Sequence, residues 1–302
     1  MPGTKQLHHL QDELLGYLRE LTRTPRPPQS PELELARRYV ERLMSGWGWR
    51  VERDAFEADD ERGTRWRGIN LLAEHPSWDA STAPVFCVGA HLDSVPDSPG
   101  ADDNASAVAT LLSVARRLAE SAPRQTILKP QLVFFDLEEC GMLGGAAHAH
   151  KFRDHGRALA GMVSLEMLGY CDHRPGSQML PRSLVGQYPD TGDFIAIIGN
   201  QNSTRLLEEF RDAMREVGGL PVETLQVPEN GLYLQATRLS DHSPFWDAGY
   251  PALMITDTSF LRNPFYHTPD DTLETLDLEF LAKVAEGCWR ATQRILERGL
   301  SG

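Results

Sequence analysis

Five short, largely apolar runs punctuate the chain: PVFCVGA (84–90), QLVFFDL (131–137), GMVSLEML (161–168), FIAIIGN (194–200) and PALMITD (251–257). Runs of this length, without polar alternation, are expected of strands buried on both faces. Between and after them, apolar positions recur every three or four residues, which predicts helices over 105–119, 144–152, 203–216 and 277–298. Upstream, leucines at helical spacing mark residues 6–22, and TPRPPQS then interrupts the pattern. Ser30 followed by Pro31 reads as an N-cap and first turn, opening a helix to about residue 46, where Gly46 and Gly48 end it. WRVERDAF and GINLLAE read as two further strands. Strands separated by helices predict an α/β fold: a three-layer αβα domain on a mostly parallel, mixed sheet, with the helices of 1–48 packed on it. No internal repeat or long linker divides the sequence, so residues 1–302 are expected to form one catalytic domain. The irregular stretch 171–190, rich in Gly, Pro and Ser, is the expected active-site loop.

Composition narrows the function classes. A formal net charge of −13 argues against nucleic acid or an anionic membrane as partner. No apolar run reaches the roughly 18 residues that a span requires. The charged N-terminus shows no signal peptide, so a cytoplasmic location is expected. Four scattered cysteines, with no C-x-x-C pair, suit reduced thiols in that compartment. Nothing in the sequence speaks to oligomeric state.

In parallel α/β sheets, ligands sit beyond the carboxyl ends of the strands. Chemistry-bearing residues gather there: His91-Leu92-Asp93-Ser94 and then Ala101-Asp102-Asp103-Asn104 after the first apolar run; Glu138-Glu139 after the second; Glu166 inside the third; Ser240-Asp241-His242 before the fifth, and Tyr266-His267 after it. Imidazole and carboxylate without clustered cysteine form the ligand set of a hydrolytic zinc or related divalent site.

The run GAHLDS…PGADDNASAVA, then EE-x-G-x-x-G, SLEMLGY, SDHSPFWDAGYPALMITDT and NPFYHTPDDTLETLD resembles the co-catalytic zinc aminopeptidases of the twenty-eighth metallopeptidase family, whose relatives include glutamate carboxypeptidases and glutaminyl cyclases. The likeness runs from about Gly68 to Leu278, with all five blocks in the family's order. It implies two Zn2+ ions, or another divalent metal, and a peptide or aminoacyl amide substrate. By resemblance, His91 binds one ion, His267 the other, and Asp102 bridges them. Glu139 and Glu166 complete the two shells, and Glu138 is the general base. Tyr266 hydrogen-bonds the oxyanion, and Asp93 accepts a hydrogen bond from His91 that fixes the ring's tautomer. Many members carry aspartate where this chain has Glu166, though glutamate also occurs there.

Other readings of these residues compete. Asp103 or Asn104 suits a helix N-cap. Asp241 either supports the site or caps a helix starting at Ser243-Pro244. His148 and His150, two apart on a helix, do not share a face. His8 and His9 are expected at the surface, and Cys140 as a small buried residue. The leading function is removal of an N-terminal residue from peptides. The alternatives are glutaminyl cyclisation or carboxypeptidase action on the same site, the latter requiring an arginine such as Arg182 or Arg262. A non-catalytic binding protein is disfavoured because no ligand is missing. The stretches 171–190 and 226–240, with Leu184, Val185, Tyr188, Leu232 and Tyr233, are expected to line an apolar substrate pocket.

Overall fold

Ser30 caps its helix as the sequence predicts: its hydroxyl accepts the Leu33 N–H at 3.0 Å, with Pro31 in the first turn. The computed structural model describes residues 4–78, 83–121 and 126–300. In chain order its elements are α1 (Thr4–Leu21), α2 (Pro31–Gly46), β1 (Arg50–Asp59), β2 (Arg65–Glu74), β3 (Val85–His91), α3 (Ala107–Glu120), β4 (Lys129–Phe135), α4 (Leu143–Asp154), β5 (Leu159–Glu166), β6 (Ile195–Asn200), α5 (Thr204–Arg215), β7 (Val222–Val227), α6 (Ser243–Asp247), β8 (Ala252–Thr256) and α7 (Leu278–Arg298). All five apolar runs are strands.

The eight strands form one sheet in the order β1-β2-β4-β3-β5-β8-β6-β7. Its centre, β4-β3-β5-β8, is parallel. β1, β2 and β4 pair antiparallel, and β6 with β7 runs opposite to β8, so the sheet is mixed. Successive strand residues point to opposite faces, and the two faces carry different cores. Phe86, Val88, Leu132, Phe134, Val163 and Leu165 pack with α1, α2, α3, α5 and α7. Cys87, Val133, Phe135 and Met162 face Ala149 and Phe152 of α4 and Phe245 and Trp246 of α6. This is the expected three-layer α/β architecture. Among the described residues no helix is long and apolar enough to cross a membrane.

β7 was not predicted. VETLQV mixes apolar and polar residues because it is an edge strand with one flank uncovered.

Candidate metal centre

His91 ends β3 and Glu166 ends β5, neighbouring parallel strands, and both side chains emerge on the face of the second core. The EE pair follows β4 in the turn before α4, and His267 lies in the loop after β8. Left-handed residues sit at these exits: Leu137 (φ 59°) before Glu138, Met167 (φ 46°) after Glu166, and His267 itself (φ 58°). Each such residue costs on the order of 1–3 kcal/mol and persists where the surroundings over-determine it, typically at functional sites.

The side chains converge on Asp103. Its Oδ1 lies 3.2 Å from His91 Nε2 and its Oδ2 3.2 Å from His267 Nε2. Glu166 Oε1 stands 3.4 Å from the His91 nitrogen and Glu139 Oε2 3.1 Å from that of His267. Two half-sites result, His91–Asp103–Glu166 and His267–Asp103–Glu139, sharing one carboxylate. Ligand bonds of about 2.0–2.1 Å at tetrahedral angles separate neighbouring ligand atoms by roughly 3.3 Å, and all four distances cluster there. His91, Asp103 and Glu139 each offer one ligand atom within 4.8 Å of the others, and the buried Oε1 of Glu139 has no hydrogen-bond partner. The donor set fits zinc.

The expectation that Asp102 bridges the two halves is corrected. Its carboxylate points backwards, accepting the Gly169 N–H at 2.9 Å and the Asn263 side-chain amide at 2.8 Å. Gly100 enters the turn in the left-handed region (φ 58°), where an added Cβ would stand 2.2 Å from the Asp103 carbonyl oxygen. Asp103 then leaves helical geometry (φ −102°, ψ 87°), which turns its side chain to the opposite side from that of Asp102. Nor is Asp103 or Asn104 the cap of α3: the Asn104 amide instead holds the Leu165 carbonyl and the Met167 N–H, tying this turn to the end of β5.

The remaining residues support these. His91 Nδ1 lies 3.1 Å from the Asp93 carbonyl oxygen and 3.5 Å from its carboxylate, so the backbone oxygen is the nearer acceptor. The Asp93 carboxylate instead accepts the N–H groups of Glu138 and Glu139, orienting both glutamates. Ser240 donates to Glu166 Oε2 at 2.7 Å. Asp241 accepts the Gly145 N–H at the start of α4 and does not cap α6. Asp271 accepts the N–H groups of Asp102 and Asp103. Arg26, fully buried, donates to the carbonyls of Leu21, Leu92, Pro99 and Gly100 and pins the segment between His91 and Asp102. The sequence reading passed over Asp271 and Arg26. An arginine inside a proline-rich breaker gives no local signal of burial.

Burial drives the electrostatics. It pushes the Glu138 carboxyl well above the usual carboxylate range, with the charges of Glu166 and Asp241 adding and His91 opposing. Burial and then the Asp103 charge take Glu139 up to about 7. Burial also favours the neutral ring of His267, but Asp103 and Glu139 outweigh it and lift this imidazole to about 10. A pocket this rich in carboxylate demands positive charge.

The centre opens into a cavity of about 260 Å³. Glu138, Glu139, Asp103, Glu166, Tyr266 and His267 line its catalytic end. Glu138 Oε2 is 3.9 Å from His91 Nε2. The Tyr266 ring stacks on His267 with centroids 3.7 Å apart. Leu184 and Tyr188 line the cavity as expected, whereas Val185, Leu232 and Tyr233 lie at the exposed surface. Neither Arg182 nor Arg262 lines it; Arg262 is buried against Gln178, the Tyr170 carbonyl and the Phe194 ring. A second trio, Cys171, His173 and Asp277, also brings potential ligand atoms together, but outside this cavity. His148 is buried against Gln131, and His150 is exposed.

The chain is similar to known proteins in sequence and in fold. The sequence pattern of Peptidase family M28 matches residues 70–292. Uncharacterized protein YfbL of Escherichia coli (strain K12) is 33% identical, over 95% of this chain and 88% of that protein. Aminopeptidase YwaD of Bacillus subtilis (strain 168) is 28% identical over 67% of this chain and 39% of its own length, so the chain spans well under half of that relative. Among solved structures, an aminopeptidase from Aneurinibacillus sp. strain AM-1 superposes with a TM-score of 0.73 at 17% identity, covering 95% of this chain and 94% of that one. A Porphyromonas gingivalis glutaminyl cyclase gives 0.73 at 18%, covering 94% and 98%. At these identities the structural likeness speaks for the fold.

Proposed function

The chain belongs to peptidase family M28 and is a metallo-exopeptidase by that membership, and on that premise we propose that it is a zinc-dependent aminopeptidase holding two ions. His91, Asp103 and Glu166 would hold one, and His267, Asp103 and Glu139 the other. The observation that carries this reading is Asp103, set between two imidazoles that each have their own glutamate. When bound, the zinc supplies Lewis-acid polarisation of the scissile carbonyl and acidifies the attacking water.

The protein's own groups do the rest. Glu138 lines the cavity beside His91 without ligating geometry of its own. Its carboxylate takes the proton of the water whose oxygen attacks the carbonyl carbon, and returns it to the nitrogen as the C–N bond breaks. The burial that raises its affinity for a proton suits it to both halves of that transfer. Tyr266 donates its hydroxyl to the developing oxyanion, a role supported by its stacking on His267 at the cavity wall. Carboxylates line the catalytic end, and among the described residues no lysine or arginine lines any part of the cavity. That polarity favours a free amine at the bound terminus and disfavours a free carboxylate, supporting an aminopeptidase over a carboxypeptidase.

The test is hydrolysis of chromogenic aminoacyl amides with free and with blocked N-termini. Free-amine substrates alone should be cleaved, a chelator should abolish cleavage, and Glu138→Ala should lower kcat by about 10²–10⁴-fold. Cyclisation of N-terminal glutamine without hydrolysis would replace this reading with the cyclase one.

A further inference from the structure

The cavity floor is a face of the sheet, and the strand register arranges it in rows. Glu166 of β5 pairs with Thr256 of β8, Thr256 with Ala196 of β6, and Ala196 with Glu223 of β7. Paired residues share a face, and all four line the cavity. Strands lie about 4.8 Å apart, so this row runs roughly 14 Å from a carboxylate of the metal centre to a second, isolated carboxylate. Only the short side chains of Thr256 and Ala196 stand between them, leaving a trough. Met254, Ile198 and Leu225 form the apolar row beside it.

Glu223 is half-buried, and apart from the backbone ladder of β7 its carboxylate makes no hydrogen bond or ion pair with any described residue. Tyr188 closes the same end, its hydroxyl donating to the Thr224 carbonyl at 2.9 Å. The other walls there are Leu180, Leu184 and Phe194. Among the described residues no lysine or arginine lines this cavity, so a cation that meets Glu223 there comes from the bound molecule.

We propose that Glu223 determines side-chain specificity, and that the preferred N-terminal residue is long and ends in a cation, arginine above lysine. This inference rests on the aminopeptidase reading. A leucine side chain reaches roughly 2.6 Å from its Cα and stops over Thr256 and Ala196, whereas arginine reaches roughly 6 Å along the trough. Its methylenes cover the apolar row, and its planar fork can meet the carboxylate with two parallel hydrogen bonds, which an ammonium cannot. A site built around a polar partner rejects analogues lacking it more strongly than an apolar pocket rejects a missing methylene.

Citrulline, the neutral near-isostere of arginine, isolates the charge. The metal-loaded protein should cleave an arginyl amide with kcat/KM at least tenfold above the matched citrullyl amide. In Glu223→Gln the ratio should fall to within threefold of one, and Glu223→Asp should recover part of it. Independently of turnover, Glu138→Ala protein should bind the intact arginyl amide at least tenfold more tightly than the citrullyl amide by calorimetry. A wild-type ratio near one, or a ratio unmoved by Glu223→Gln, with norleucyl amide still cleaved, would overturn this inference alone. Cleavage of no aminoacyl amide would overturn the aminopeptidase reading along with it.

Discussion

Adjacent aspartates divide two tasks between them. Asp103 faces the imidazoles, while Asp102 faces the backbone of Gly169 and the amide of Asn263, holding the turn that aims its neighbour. The sequence motif makes an aspartate ligand legible but not which of the two turns inward. That choice lies in the left-handed Gly100 and the non-helical Asp103, which ordinary helix patterning does not reveal. Metal content after dialysis separates the roles. Asp103→Asn should weaken retention at least 100-fold, as loss of a shared ligand must. Asp102→Asn should weaken it by about 10–100-fold, as expected for a residue that only orients a ligand. The reverse ranking would return the bridging role to Asp102. Glu138, Glu139, Glu166, His91 and His267 are named by the strand-end rule and the family resemblance, since each follows or ends an apolar run, and the fold brings these side chains together.

At the scale of elements, the strands buried on both faces were plain because apolar residues dominate them without polar alternation. β7 escaped notice because an edge strand keeps polar positions. The segment between His91 and Ala101 is neither helix nor strand, and its shape depends on a distant side chain: the Arg26 guanidinium bonds four carbonyls and is drawn down to about 10 by its burial. Arg26→Met would orphan those acceptors. It should lower the unfolding free energy by about 3 kcal/mol or more in urea titrations. Arg26→Lys should recover only part of the loss, because an ammonium offers fewer donors in a different geometry. Full stability in Arg26→Met would show that the clamp is dispensable.

For the whole molecule, two buried histidines outside the metal centre weaken the fold toward acid. Burial lowers His148 and His242 to about 3, so both rings are neutral in the fold. In the unfolded chain they take up protons below about 6.5. At these two rings the unfolded state therefore binds more protons as pH falls from about 6.5 to 3, and each ring's contribution to stability should fall over that window by roughly 1 kcal/mol per pH unit. His148→Gln should flatten the slope of urea midpoint against pH; an unchanged slope would assign the acid loss elsewhere. The reversal of strand direction between β8 and β6 has a consequence for how such a protein can diversify. The proposed ligands are carried by loops and strand ends of the parallel half, whereas the far floor is carried by β6 and β7, which run the other way and contribute none of them. Mutations can therefore accumulate on β6 and β7 and redirect which substrates are accepted, while the catalytic half is inherited unaltered. Selectivity and reactivity become separately heritable traits of one sheet.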